Sequence, residues 1–464
     1  MGNMCNVKRP PAPDILSKKI KCLPSNAKLL NNVHFRKIPT QIKPQINLRV
    51  EAAITKGQDL KKLQKLRLKG LSSLKLNIIF YNDIKNSKVQ RRLWSTVKNI
   101  KLKNLTLSLQ KCSNRELNHL YPIMKSWNAL STFKVKFDDL NYICDNCLVT
   151  LCMGLERFKT LTNLSLTFNA CIKISKEGIE SLYDVLRYLR KLTALTLNFS
   201  GCFQLLDYEI SMIACGLRYI PKLERLNLIL ENCYRITNQG INSLAFNLQE
   251  VPCLSLLNLV LTNCNMLSDV SILYLAQAFG NFPDLLCLNL NLSGTHCMTD
   301  NGLKNLCLGL KQLISLRTLS LCFTNCCHVT TNGAKKLWQC IGGLRYLSNL
   351  RLNFSHCVIL FNDDELQNLC KGLKNSKSLK ALSMNFYQCQ KITNKGIEHI
   401  CLFVNGLKDL EIINLNFSYC FLINEKGSRQ LTNCLNDIDS LNKVDVNFYG
   451  CDQVSHQSLH FVGY

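Results

Sequence analysis

The chain repeats itself. A frame of the form L-x-x-L-x-L-x-F-x-x-C-x-x-I is carried by Leu161, Leu164, Leu166, Phe168, Cys171 and Ile174, and it returns at Leu192 and at Leu223. It then restarts at Leu254, Leu285, Leu316, Leu347, Leu379, Leu410 and Leu441, and backwards at Leu130, Leu102 and Leu71. These thirteen units are 31 residues apart, except for one step of 28 and one of 32. A period of this length means that each unit is one small strand-and-helix element that cannot bury its apolar face alone. Neighbouring units must therefore stack.

The physics of one unit is readable. Leu226, Leu228 and Leu230 alternate with period two, which predicts a strand with one buried face. Thr237 stands where a helix N-cap is wanted, and Ile241, Leu244 and Leu248 follow at helical spacing. A glycine comes three residues after the cap in six units (Gly178, Gly240, Gly302, Gly333, Gly396 and Gly427), which reads as room for close helix–strand packing. Stacked units pair their strands in parallel and place their helices on one side. The expected fold is an α/β solenoid of about 13 units.

These residues resemble the leucine-rich repeat superfamily, with the turn cysteine of its cysteine-containing subtype. The resemblance covers about residues 43–464 and implies a horseshoe with a parallel sheet on the concave face and helices on the convex face. It implies an interaction scaffold rather than a particular chemistry. The strand motif departs from the usual form by running two residues longer, through the extra x-F, a form similar to large repeat families of unicellular eukaryotes.

The ends are less regular. Ile46, Leu48, Val50 and Ala53 fit the strand frame loosely, and Leu60, Leu63 and Leu66 fit its helix, so 43–70 reads as an N-terminal capping unit and 71–464 as the repeat domain proper. Residues 1–42 hold five prolines among many lysines and no repeat, the composition of a mostly disordered basic segment. The last unit reaches Tyr464 barely into its expected helix, which would leave the C-terminal sheet edge open for docking. Charge follows the same division. Residues 1–104 carry 24 Lys and Arg against four Asp and Glu, whereas 105–464 carry 33 against 27. A nearly neutral body with a basic front end can meet an acidic protein, anionic lipid or nucleic acid. Residues 1–42 offer one aromatic, Phe35, and so little base-stacking surface that nucleic acid is the least favoured of these partners.

Twenty-six cysteines would mean a disulfide framework in a small secreted domain. Here ten occupy one turn position: Cys112, Cys171, Cys202, Cys233, Cys264, Cys326, Cys357, Cys389, Cys420 and Cys451. Seven more (Cys152, Cys215, Cys307, Cys340, Cys370, Cys401 and Cys434) fall on the inward helix face. Buried thiols of this kind act as small apolar residues with a weak donor. Cys144 and Cys147 form an isolated pair without the second pair a structural zinc site needs. There is no phosphate-binding G-x-x-x-x-G-K-[ST], no G-x-S-x-G and no kinase motif, and Asp363-Asp364-Glu365 reads as the acidic start of a helix. No enzyme activity, metal or cofactor is expected.

Function must then lie on a surface. The outward strand positions number 39, of which Asn, Ser, Thr and Gln fill 26, with Asn198, Asn291, Asn353, Asn385, Asn416 and Asn447 in one column. Most of this polar sheet is expected to bond across neighbouring strands. Because binding hot spots favour Tyr and Arg, the candidate protein-binding patch is Arg351, Tyr387 and Tyr449. Lys75, Lys134 and Lys136 form a second candidate patch for an acidic partner.

The leading expectation is a non-enzymatic protein-interaction scaffold. An alternative, implied by the resemblance, is the substrate-binding subunit of a ubiquitin ligase, although residues 1–70 are too Lys-rich and Pro-interrupted to read as an F-box. Another is nucleic-acid binding through the basic arm. The absence of a basic-then-apolar leader and of any run of about 18 apolar residues favours a cytoplasmic location. Removal of Met1 would place Gly2 at the acceptor position for N-myristoylation, with Asn6 departing from the Ser or Thr of the usual motif, Cys5 near enough to take a palmitate, and Lys8, Arg9, Lys18, Lys19 and Lys21 behind them. One acyl chain plus a second signal suffices for membrane attachment, so a peripheral membrane location follows if Gly2 is modified.

Overall fold

Fifteen strands hydrogen-bond to one another in chain order, β1 (Leu48–Ile54), β2 (Leu71–Ile79), β3 (Asn104–Gln110), β4 (Thr132–Asp138), β5 (Asn163–Asn169), β6 (Ala194–Asn198), β7 (Arg225–Ile229), β8 (Leu256–Val260), β9 (Cys287–Asn291), β10 (Thr318–Cys322), β11 (Asn349–Asn353), β12 (Ala381–Asn385), β13 (Ile412–Asn416), β14 (Lys443–Asn447) and β15 (Ser458–Val462). The structure, a computed structural model, describes residues 48–54, 59, 63, 71–80, 86–98, 100–138, 142–295, 297–358, 360–451, 454–455 and 458–462. Helices follow the strands from β2 to β13: α1 (Ser87–Lys98), α2 (Asn114–Met124), α3 (Asp145–Leu155), α4 (Lys176–Tyr188), α5 (Asp207–Leu217), α6 (Asn238–Leu248), α7 (Asp269–Phe279), α8 (Asp300–Leu310), α9 (Thr331–Gly342), α10 (Asp363–Leu373), α11 (Asn394–Val404) and α12 (Glu425–Asn436). This is the strand–helix solenoid the repeat demands, with helices on the convex side and a parallel sheet facing the concave side.

Why the unit folds this way is visible in its buried positions. In β2 to β14 the residues at the leucine positions, such as Leu226 and Leu228, are buried against the helices, and most of their neighbours are exposed or half-buried. The phenylalanines at the strand ends, inside β4 and β5 and just after the later strands, stack into a spine: Phe137 on Phe168 (5.3 Å), Phe168 on Phe199 (5.4 Å), Phe386 on Phe417 (5.5 Å) and Phe417 on Phe448 (5.7 Å). Each such buried ring or leucine contributes about 1.5–3 kcal/mol, repeated unit after unit.

Two hydrogen-bond ladders lock the units. The turn thiol of one unit donates to the main-chain carbonyl three positions earlier in the preceding unit's frame: Cys202 to Phe168 O (3.2 Å), Cys233 to Phe199 O (3.3 Å), Cys264 to Leu230 O (3.2 Å) and Cys420 to Phe386 O (3.3 Å). The thiol thus satisfies a buried carbonyl as well as filling space. In the second ladder the carboxylate opening one helix accepts from the N-cap residue of the next. Asp207 Oδ1 takes the Thr237 N–H (2.8 Å) and its Oδ2 the Thr237 hydroxyl (2.6 Å), and Asp269 holds Thr299 in the same way.

Several expectations are corrected. The helix glycines leave room for this carboxylate rather than for a strand: a Cβ on Gly240 would stand 2.6 Å from Asp207 Oδ1. The long strand holds in β1 to β5, whereas from β6 onward strands are five residues, although the N–H of the following Phe, as in Phe199 to Ile229 O (2.8 Å), continues the ladder. Cys215 is half-buried rather than buried. The last unit has no helix among its described residues. Its chain returns instead as β15, antiparallel to β14 with Val444 opposite Phe461 and Val446 opposite Leu459. The edge of β14 expected to be open is therefore paired, which satisfies main-chain groups that an unpaired edge would leave bare.

Candidate protein-binding face

The strand exits make a rim. After β3 and after β5 to β14 the tenth residue of the unit takes a left-handed conformation, as at Asn232 (φ 59), Asn263 (φ 57) and Asn325 (φ 60), where Asn tolerates it well. At His356 (φ 61) and Tyr419 (φ 60) the same turn is made by bulkier residues. Tyr419 is pinned there by its N–H, which donates to Tyr449 O (2.8 Å), and His356 by donation to Tyr387 O (2.9 Å).

The turn swings these two rings onto the line of Tyr387 and Tyr449, which stand not on the strands, as the sequence suggested, but in the turns two residues beyond the ends of β12 and β14. A continuous edge-to-face ladder results: His356 to Tyr387 at 5.1 Å, Tyr387 to Tyr419 at 5.3 Å and Tyr419 to Tyr449 at 5.6 Å between ring centres. Phe421 packs edge-on to Tyr419 at 6.2 Å and is itself exposed, as is Leu422. Tyr449 is 56% exposed, so the ladder ends in solvent. Proximity of the neighbouring phenols and partial desolvation push the Tyr419 hydroxyl above its ordinary pKa, with desolvation the larger cause. The sequence reading found Tyr387 and Tyr449 and missed His356 and Tyr419, which lie one residue beyond the strand frame.

Arg351 lies elsewhere on this face. It stands in the middle of β11, exposed, between Ser320 on β10 and Ser383 on β12. Tyr387 is one strand over and four residues further along, so it stands about 14 Å from the arginine at strand spacings, and Tyr419 and Tyr449 stand further off. Around Arg351 is a depression of about 310 Å³ lined by Ser320, Asn353, Ser383, Asn385, Asn414 and Asn416 among others.

The asparagine column does not chiefly bond across strands, as the sequence suggested. Its Oδ1 atoms turn back onto their own chain two residues on: Asn353 accepts from Ser355 N–H (3.1 Å) and hydroxyl (2.6 Å), Asn385 from Tyr387 N–H (3.0 Å), and Asn416 from Ser418 N–H (3.0 Å) and hydroxyl (2.6 Å). Such Asx bonds end the strand and start the turn. Cross-strand bonds are fewer, among them Asn227 to Thr196 (3.0 Å) and Asn414 to Asp445 (3.2 Å).

Lys75, Lys134 and Lys136 fall on the same open face at the other end. Lys75 on β2 aligns through Thr106 with Lys134 on β4, and Lys136 lies two residues on from Lys134. Gly2, Cys5 and the basic residues behind them lie outside the described residues, as does most of 1–70.

The remaining chemistry is structural. Cys144 and Cys147 sulfurs are 3.8 Å apart, and among the described residues no group of three His, Cys, Asp or Glu is placed to hold a metal. Of the acidic run, Asp363 clamps Thr393 (2.8 Å to its N–H), and Glu365 is fully buried, accepting from Trp338 Nε1 (2.6 Å). Burial raises the Glu365 pKa against the lowering effect of that bond. No described helix is long and apolar enough to cross a membrane.

The class defined by this architecture is a repeat solenoid with an open parallel sheet. No family model matches the sequence, and no curated protein does. Among solved structures, the chain is similar to the yeast complex of Rad7 and Elc1, at 18% identity over 75% of this chain and 86% of that one, with a TM-score of 0.42. It is also similar to the Toll–Spatzle complex of Drosophila, at 12% identity over 88% of this chain and 51% of that one, with a TM-score of 0.40.

Proposed function

We propose that the chain is a non-enzymatic interaction scaffold of the cysteine-containing leucine-rich repeat kind, which binds another protein on the open sheet face of β11 to β14. The observation that carries this reading is the ladder His356–Tyr387–Tyr419–Tyr449. His356 and Tyr449 are exposed and Tyr387 and Tyr419 half-buried between them, so rings already held in place by one another lose little freedom on binding and present apolar area with polar tips. The Lys75, Lys134 and Lys136 group is a secondary contact for acidic surface on the same partner or another. The basic segment 1–42 steers or tethers the scaffold.

The repeat itself supplies substitutions that keep the fold. Serine already occupies the position of Tyr387 and Tyr449 at Ser355 and Ser418, and asparagine the position of Tyr419 at Asn325. Quantitative affinity capture from the native cells, comparing the wild type with Tyr387→Ser, Tyr419→Asn, Tyr449→Ser combined, tests the proposal. The reading expects a defined protein set to be lost with the triple variant at unchanged urea midpoint. An unchanged set would overturn it.

A further inference from the structure

We infer that the depression around Arg351 is a carboxylate-binding site, and that the partner lays an extended segment across β11–β13 with an acidic side chain on Arg351 and an apolar side chain on the tyrosine ladder. The inference rests on the open face being the binding face and adds the chemistry of what it binds.

Donors gather there without acceptors of their own. With their Oδ1 atoms committed to the main chain two residues on, Asn353, Asn385 and Asn416 turn their Nδ2 groups away from those bonds, and none of the three donates to another group among the described residues. Ser320 and Ser383, the residues in register with Arg351 on the two neighbouring strands, add hydroxyls to the lining. Arg351 makes no ion pair among the described residues. The first charge in its own row is Asp445, three strands away, about 14 Å at 4.8 Å per strand. A planar guanidinium ringed by amide donors is matched by a planar acceptor of one negative charge, which it can grip with two parallel bonds. A phosphate dianion would call for a second cation, and the lining holds one. The remaining amide donors suit the main-chain carbonyls of an extended segment.

The spacing sets the motif. Four positions along the chain and one strand across separate Arg351 from Tyr387, about 14 Å at strand spacings. An extended chain covers about 3.3 Å per residue, so the acid and the apolar side chain are four or five residues apart.

The test is panning a phage-displayed library of random twelve-residue peptides on the full chain, followed by affinity measurement on the synthetic peptide most enriched. Enriched peptides should carry Asp or Glu four or five residues from an aromatic or aliphatic residue. Arg351→Ser, which copies Ser320 and Ser383, should weaken the selected peptide about tenfold or more. Exchanging the peptide's Glu for Gln should do the same, and the two changes together should cost no more than either alone. Arg351→Lys should recover only part of the loss. Peptides whose binding falls with Tyr419→Asn but ignores Arg351→Ser would overturn the carboxylate site and leave the binding face standing. A phosphoserine peptide binding tenfold tighter than its Glu counterpart would reassign the site to phosphate and overturn the inference, as would failure to enrich any peptide. The affinity capture described above decides the binding face independently.

Discussion

Asp207 and Thr237 belong to different repeats, yet one carboxylate of the first holds both the main-chain N–H (2.8 Å) and the hydroxyl (2.6 Å) of the second. The bond caps a helix and fastens two units at once. Hydrogen bonds to a charged group contribute about 1.5–3 kcal/mol each when buried, and partial exposure here discounts the pair to about that total. Asp207→Ala should lower stability by roughly 1.5–3 kcal/mol in urea unfolding. Gly240→Ala should also destabilise, although alanine is ordinarily the better helix former by about 0.8–1 kcal/mol, because its Cβ meets Asp207 Oδ1 at 2.6 Å. Combined with Asp207→Ala, the same Gly240→Ala change should become neutral or stabilising. Additive costs in that double-mutant cycle would refute the steric account.

The turn thiols should resist alkylation. Burial pushes Cys264, Cys326 and Cys420 up to about 12 and Cys357 up to about 11, so at pH 8 they remain protonated, and the thiolate is the reactive form. Cys253, Cys297 and Cys327 are exposed. Mass spectrometry after brief iodoacetamide treatment should find these three modified and the turn set protected until denaturant is added. Rapid modification of Cys264 or Cys420 in the folded protein would show that the turn is open.

Burial of Glu365 carries a pH signature. Its folded pKa lies above the ordinary 4.5, with desolvation the cause, so the folded state binds its proton more tightly than the unfolded chain. Its charge therefore costs stability above that window, and the cost is relieved as pH falls through the raised pKa towards 4.5. Glu365→Gln keeps an acceptor for Trp338 and removes the titration. Relative to that variant, the wild type should gain stability as the pH is lowered from neutral towards 4.5, read as the difference in urea midpoints. A difference independent of pH would contradict the assignment.

What the sequence disclosed and what it hid follow from where each signal lies. Leu226, Leu228 and Leu230 announce a strand because burial alone fixes them, and the turn cysteines recur because each fills the same space. The Asp207–Thr237 clamp was not legible, since its partners are 30 residues apart and each reads locally as an ordinary cap. Tyr419 and His356 were missed because a left-handed turn carries them onto the rim from a position the two-residue strand period does not count. A column read at the tenth position of every unit would have found them. β15 was hidden by extending the repeat to its end, where Leu459 and Phe461 alternate with the period of a strand.

The N-terminal proposal is decided chemically. With Gly2 acylated and Lys8, Arg9, Lys18, Lys19 and Lys21 close behind, each basic residue near an anionic surface adds about 1 kcal/mol to attachment. Mass spectrometry of the mature N-terminus should show an added myristoyl group, and Gly2→Ala should move the protein from the membrane fraction to the supernatant. An acetylated or unmodified terminus ends the proposal and leaves the sheet-face reading intact.

Hydroxyl-radical footprinting of the complex with the captured partner tests the binding face most directly. The rings of Tyr387, Tyr419 and Tyr449 should be oxidised several-fold more slowly in the complex than in the free chain. Tyr188, 70% exposed at the end of α4, and Tyr346, 65% exposed in the loop after α9, should be oxidised equally in both. Protection of Tyr188 or Tyr346 with the ladder tyrosines unchanged would place the partner on the helices and contradict the assignment of the open sheet.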